Sequence, residues 1–262
     1  MCGRYAQDLT PREIAEAFRA TLAELDAEFM ATHPRYNRPQ PPVYNIAPTD
    51  PITIVDRDDH GERRVRPAWW DFVPSTSGGP RDRPWFNARD DKVGSSHGVG
   101  SIYRSALKRN RCLIPFRAFY EWQAIEGRPR KQPWAIRPVA GEPPYAFAGI
   151  SSSWIQPDGK VLDGVAIFTT SANQLMAWIH NSKARQPVIL HREQQDAWLD
   201  PSLEDPTEAA KFLTPLPDGE VEAWPVRPAV GRWQEDSEAL LAATGETIRE
   251  PRSDEGRTGL FG

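Results

Sequence analysis

The sequence predicts an α+β fold built from many short strands with a few peripheral helices. Three observations carry this reading. Short apolar runs such as Ile52-Thr53-Ile54-Val55 and Cys112-Leu113-Ile114-Pro115 have strand length and are bounded by polar or Pro/Gly-rich stretches. Helical periodicity with start signals is confined to a few segments. The 262 residues, 39% hydrophobic and 26% charged, are ordinary for a globular chain and supply core for one large domain or two small ones.

In chain order, residues 10–30 carry the clearest helical pattern. Thr10-Pro11-Arg12-Glu13 supplies an N-cap, a proline at the first helical position and a capping-box acid. Ile14, Phe18, Leu22, Leu25 and Phe29 then recur on one stripe. Residues 32–42 read as a Pro-rich loop, 52–55 as a strand, 57–64 as a polar hairpin turn and 75–84 as a second loop. A short helix over 102–110 leads into the strand 112–115. Residues 118–122 and 134–137 flank Glu126-Gly127-Arg128-Pro129 and pair as a hairpin. Strands follow at 145–150 and 165–169, with helices at 173–179 and 192–199. The acidic, weakly patterned residues after Trp233 read as a frayed tail.

Composition excludes several classes. No apolar run is long enough to span a membrane, and Met1-Cys2-Gly3-Arg4 leads into no signal-peptide core. Two cysteines make neither a disulfide framework nor a zinc site, so no metal or cofactor is expected and the chain reads as cytoplasmic and reduced. The net charge of −4 argues weakly against nucleic acid. Between Ser101 and Arg137, however, nine basic residues face two acids, and residues 194–222 hold eight acids and only Lys211. That asymmetry suits a local phosphate-binding face, or equally a solvated charged helix and hairpin.

Cys2 is the most informative residue. Removal of Met1 is favoured by a small second residue and would leave an amine, of ordinary pKa near ~7.7–8.0, beside a thiol near ~8.5. A 1,2-aminothiol condenses with an aldehyde to an imine, and its sulfur then closes a thiazolidine ring. The bland reading is a small buried strand residue. Three further polar residues stand in apolar or aromatic contexts. Glu121 lies in Phe119-Tyr120-Glu121-Trp122, where alternation puts it opposite Tyr120 and Trp122. It is either a solvent-facing strand residue or a desolvated acid able to shuttle protons. Asn87 lies in Trp85-Phe86-Asn87-Ala88-Arg89, and His180 ends a helical stretch before Arg185 and Pro187-Val188-Ile189-Leu190. Singly each is more often structural; their joint occurrence with an N-terminal Cys is the stronger signal.

These blocks, together with Tyr44-Asn45-Ile46-Ala47-Pro48-Thr49 and Arg111-Cys112-Leu113-Ile114-Pro115, resemble in order the SOS response-associated peptidase family, whose members are also called abasic-site processing proteins. The resemblance spans about residues 2–230 and leaves 231–262 as an acidic, flexible tail. It implies a single α+β domain with a barrel-like, mixed but mostly antiparallel sheet and a basic groove for single-stranded DNA. It further implies a bacterial, cytoplasmic monomer that meets the nucleoid during DNA damage, with no membrane and no metal. Its implied activity is a thiazolidine link between Cys2 and the ring-opened sugar of an abasic site, with peptidase or lyase-type chemistry attached to the family name. Under it Asn87 hydrogen-bonds the amine or sugar oxygen, Glu121 orients Cys2, and His180 is the general acid/base. Arg4, Arg89 and Arg185 would hold DNA, and Pro48, Trp70 and Trp122 would offer apolar surfaces to flanking bases.

The chain departs from the family pattern in places. Asp91 stands where a Glu is usual two residues after Arg89, Asp71 and Ala118 stand where Gly is usual, and four residues separate His180 from Arg185. The tryptophan expected after Pro74 is missing. None removes Cys2, Asn87, Glu121 or His180, but together they leave the groove's shape open. Two other classes remain: an N-terminal-nucleophile hydrolase of amidotransferase type, which lacks motif support beyond the first residues, and a catalytically silent single-strand binder.

Overall fold

The computed structural model describes residues 2–22, 42–93 and 99–252. Strand β1 (Tyr5–Gln7) is followed by helix α1 (Pro11–Phe18), then β2 (Thr21–Leu22), β3 (Val43–Ile46), β4 (Pro51–Arg57), β5 (Arg63–Trp69) and β6 (Asn87–Arg89). Two helices, α2 (Asp90–Val93) and α3 (Val99–Arg109), lead to β7 (Arg111–Phe116), β8 (Ala118–Gln123), β9 (Gln132–Pro138), β10 (Tyr145–Ile155) and β11 (Val161–Ser171). Then come α4 (Gln174–Ile179), β12 (Arg185–Pro187), β13 (Ile189–Leu190), α5 (Gln195–Leu199), α6 (Pro206–Ala210) and β14 (Val221–Pro225).

The α+β expectation holds, and the sheet closes as expected. Strands β4, β5, β11, β10 and β7 pair around a five-stranded mixed barrel. Its one parallel seam joins β5 to β11 where Trp69 meets Gly164. A second, antiparallel sheet runs β14-β9-β8-β1-β3. Alternation divides the barrel residues between two clusters. Ile54, Ile114, Phe147, Val165 and Ile167 join Tyr5, Phe119 and Ile136 of the second sheet. Val55, Leu113, Ala148 and Phe168 instead meet Ile14 and Phe18 of α1, Leu107 of α3 and Trp198 of α5. Each fully buried large side chain contributes about 1.5–3 kcal/mol.

The N-terminal helix is shorter than its pattern. The capping box forms as expected, with Glu13 N donating to Thr10 Oγ1 at 3.3 Å and Thr10 N to Glu13 Oε2 at 2.8 Å. Arg19 then adopts left-handed backbone at φ 51° and ends the helix, and Thr21 and Leu22 pair parallel with β5. Sheet pairing outcompetes the stripe's extension; Leu25 and Phe29, and the loop from residue 32 through 41, lie outside the described residues. The expected hairpins at 57–64 and 118–137 form. Strands β10 and β11 run longer than their apolar runs, because cross-strand pairing carries the ladder through Ser152 and Ser153 opposite Gly164 and Asp163. The tail also differs from expectation. Leu240 is buried, Ile248 bridges Ala223, and Trp224 Nε1 donates to Leu241 O at 2.7 Å, so residues 234–252 pack on β14. Residues 253–262 lie outside the described ones.

Candidate active site

Antiparallel pairing of β1 with β8 carries Cys2 into the molecule. Tyr5 opposes Phe119 in that ladder, and Tyr120 N donates to Arg4 O at 2.9 Å. Cys2 is wholly buried, and its Sγ lies 3.9 Å from Arg4 O. Burial pushes the thiol well above its ordinary range, and the Glu121 carboxylate pushes it further. The thiol is therefore neutral near pH 7.

Asn87, placed by the parallel pairing of β6 with β11, donates from Nδ2 to Cys2 O at 2.8 Å. Its contact is thus with the Cys2 carbonyl. Its Oδ1 is buried with no hydrogen-bond partner among the described residues, an unsatisfied acceptor beside Cys2. Of the two readings of Glu121, burial decides. It is 4% exposed, on the β8 face shared with Phe119 and Gln123 and opposite Tyr120 and Trp122, and so is not solvent-facing.

His180 caps α4. Asn173 starts that helix by accepting from Met176 N at 2.9 Å, and His180 N closes it on Met176 O at 2.7 Å. Beyond it, β12 pairs with β11 and returns the Arg185 carbonyl to His180 Nδ1 at 2.9 Å. A carbonyl only accepts, so Nδ1 carries the proton and Nε2 is left to exchange one. Glu121 Oε1 lies 3.8 Å from the same Nδ1. Cys2, Asn87, Glu121 and His180, distant in sequence, thus converge on one buried centre.

The expected DNA contacts divide. Arg4 donates from Nη1 to Asn45 Oδ1 at 2.8 Å, and Asn45 Nδ2 holds the carbonyls of Arg232 and Glu235 at 2.9 and 2.8 Å. Arg89 is half exposed, with its fork on Asp91 at 2.8 and 2.7 Å. Pro48 and Trp122 are partly exposed; Thr49, next to Pro48, has φ 79°, a strained value for a β-branched residue. Two residues differ from expectation. Trp70 is fully buried, edge-on to Tyr5 at 5.0 Å, with Nε1 donating to Phe86 O at 2.9 Å, so it presents no face to a base. The Arg185 side chain is only 11% exposed and turns inward to Asp90 at 2.6 Å and to Thr169, because a buried guanidinium requires fixed acceptors.

Sequence reasoning overlooked four supporting residues. Asn45, in the Tyr44–Thr49 segment, holds Arg4. Asp90 anchors Arg185. Gln123 Nε2 donates to Trp178 O at 3.2 Å and its Oε1 accepts from Trp134 Nε1 at 3.1 Å. Asn181 both accepts from Ala124 N at 3.2 Å and donates to Ala124 O at 2.8 Å. For Gln123 and Asn181 the available signal was one amide beside each of the segments bearing Glu121 and His180. Among the described residues no cluster of His, Cys, Asp and Glu is arranged to hold a metal, and no helix is long and apolar enough to cross a membrane.

Abasic site processing protein YoqW of Bacillus subtilis (strain 168) is 30% identical over 250 residues, covering 92% of this chain and 99% of the relative. Abasic site processing protein HMCES of Rattus norvegicus is 26% identical over 300 residues, covering 97% and 79%. A solved Bacteroides thetaiotaomicron structure superposes with a TM-score of 0.75 at 21% identity, covering 92% of this chain and 99% of that one. The sequence profile of the SOS response associated peptidase (SRAP) family matches residues 1–233, and the chain belongs to that family.

Proposed function

We propose that this protein processes abasic sites in single-stranded DNA by covalent capture through Cys2 once Met1 has been removed. The observation that carries the reading is the convergence of the Cys2 backbone and thiol with Asn87, Glu121 and His180 in one buried centre. The names of the relatives support the substrate class.

The steps balance. His180 Nε2, as an imidazolium, gives a proton to the ring oxygen of the closed abasic sugar while the sugar's C1 hydroxyl gives one to a solvent water, opening the aldehyde. The neutral Cys2 amine adds to the aldehyde carbon, and water leaves to form the imine. The sulfur bonds to that carbon, the thiol proton passes to nitrogen, and the thiazolidine is complete. The net change is protein plus DNA minus one water. Both nucleophiles sit on one residue, so ring closure is intramolecular. The buried Asn87 Oδ1 suits an amine hydrogen or a sugar hydroxyl. Burial, with the Glu121 carboxylate acting in the same direction, keeps the sulfur protonated until closure, and Arg4 and Arg89 suit the adjacent phosphates. A single strand presents the lesion without extrusion from a stack. The capped sugar cannot undergo β-elimination.

Mass spectrometry of protein bearing Cys2 at its N-terminus, mixed with a single-stranded oligonucleotide containing one abasic site, should show the adduct less one water. Cys2→Ala should abolish it. Glu121→Gln and His180→Ala should each slow it by about 10²–10⁴-fold, and duplex DNA should react poorly. Absence of any adduct from chain verified to begin at Cys2 would falsify the reading.

A further inference from the structure

A recess of about 740 Å³ adjoins the Cys2 centre and has no part in the chemistry above. Its inner wall is Gln123, Trp134 and Trp178, and its rim carries Asn181, Arg128 and Arg252. The wall is continuous with the centre. Trp134 is the cross-strand partner of Glu121, Gln123 lies two residues along the same face of β8, and Trp178 precedes His180 by two residues on α4. The two tryptophans meet edge-on, with centroids 5.5 Å apart and planes at 67°. Trp134 is nearly buried and Arg252 stands 6.0 Å over its ring, whereas Trp178 remains partly exposed toward the recess.

Charge says what kind of ligand fits. The β8–β9 turn exposes Arg128, Arg130 and Lys131 with Glu126 as its one acid, and the Arg252 side chain is 51% exposed with a 4.0 Å contact to Glu246. A partly exposed aromatic ring beside exposed cations suits a base stacked on the ring, with its phosphate on the guanidinium groups. The amides of the wall are already committed: Gln123 to Trp178 and Trp134, Asn181 to Ala124, and Gln132 to the carbonyls of Pro133 and Val226. Each is thus held by the protein's own groups, which favours stacking over base-edge readout.

We propose that this recess holds the base of a nucleotide flanking the abasic site, by stacking on Trp178 and without sequence preference. The recess then flanks the lesion on the face of β8 that carries Glu121 and Gln123, whereas Trp122 lies on the opposite face. The proposal rests on the reading of the Cys2 centre given above, and the residues 244–252 that complete the recess lie beyond the matched family segment, which ends at 233.

The test uses single-stranded oligonucleotides carrying one abasic site and 5-iodouridine at each of three positions on either side of it. Irradiation should label a peptide containing Trp178 from positions on one side of the lesion only. With a non-reactive tetrahydrofuran abasic analogue, Trp178→Ala should weaken binding about tenfold, and Trp178→Phe should restore most of it. Arg128→Ala and Arg252→Ala should each lower the slope of log affinity against log salt by about 0.7. Four binding affinities with the central base of the flank varied should agree within about twofold. Labels mapping elsewhere from every position, with Trp178→Ala binding unchanged, overturn the recess whatever Cys2 does. Labelling at Trp178 without any Cys2 adduct upholds the recess and sinks the covalent reading alone.

Discussion

Desolvation, more than any charge, sets the state of the Cys2 thiol, and the Glu121 carboxylate acts in the same direction. The second thiol, Cys112, is also wholly buried and pushed up, by burial first and then by Asp56. Folding raises both thiols above their ordinary value, so the folded protein keeps a proton that the unfolded chain releases. The stabilising contribution is complete below about pH 9 and falls as pH rises beyond it, by up to about 1.4 kcal/mol per pH unit for each thiol. Urea unfolding between about pH 9 and pH 10.5 should therefore show a shallower loss of stability in Cys112→Ala, by close to one thiol's share. An unchanged slope would mean that the buried thiol ionises freely. At this scale the identities of Cys2, Asn87, Glu121 and His180 were legible in the sequence, since each stands in an unusual local context. The fates of Trp70 and Arg185 were not. Nothing local distinguishes a tryptophan that offers its face from one locked edge-on against Tyr5, or an arginine that reaches out from one held by Asp90.

Among the elements, α4 and the strand end at Ala124 decide where the acid and the imidazole meet. Asn173 caps the helix, and Asn181, in the four-residue spacer after His180, grips the Ala124 backbone by both its amide atoms. The longer spacer thus ties β8 to α4. Asn181→Ala should slow adduct formation about ten- to a hundredfold through misplacement of His180. It should cost only about 1–2 kcal/mol of stability in urea unfolding. A rate equal to that of the unaltered protein would reduce the clamp to a packing detail. The α4 cap and the α1 capping box are short-range signals and were readable. The end of α1 was not: Arg19 turns left-handed so that Thr21 and Leu22 can pair with β5, a strand over forty residues away.

For the whole molecule, closure of the barrel is the deciding event. Gly164 sits at the β5–β11 seam, where an added Cβ would lie 2.1 Å from Asp71 O and 3.0 Å from Val73 N. Both obstacles are backbone, so the seam must open to admit a methyl group. Gly164→Ala should destabilise the protein by about 2–3 kcal/mol and lower its Tm by roughly 5–10 °C, measurable by calorimetry. Since Asn87 reaches Cys2 by pairing with the same strand β11, adduct formation should fall with it. The packed segment 234–252 belongs to this scale too: its sequence is acidic and aperiodic, yet Leu240 and Ile248 find partners on β14 and the turns beside it.

Periodicity, caps and turn residues act over a few positions, so the chain's own order of letters determined most elements, the hairpins and the four polar residues of the centre. Burial, by contrast, depends on what arrives from far along the chain. Only the tertiary structure decided that Glu121 faces inward, that Trp70 and Arg185 are withdrawn from solvent, and that an aromatic recess opens beside His180. Those outcomes follow from strand pairing between distant segments, whose net free energy no local window contains.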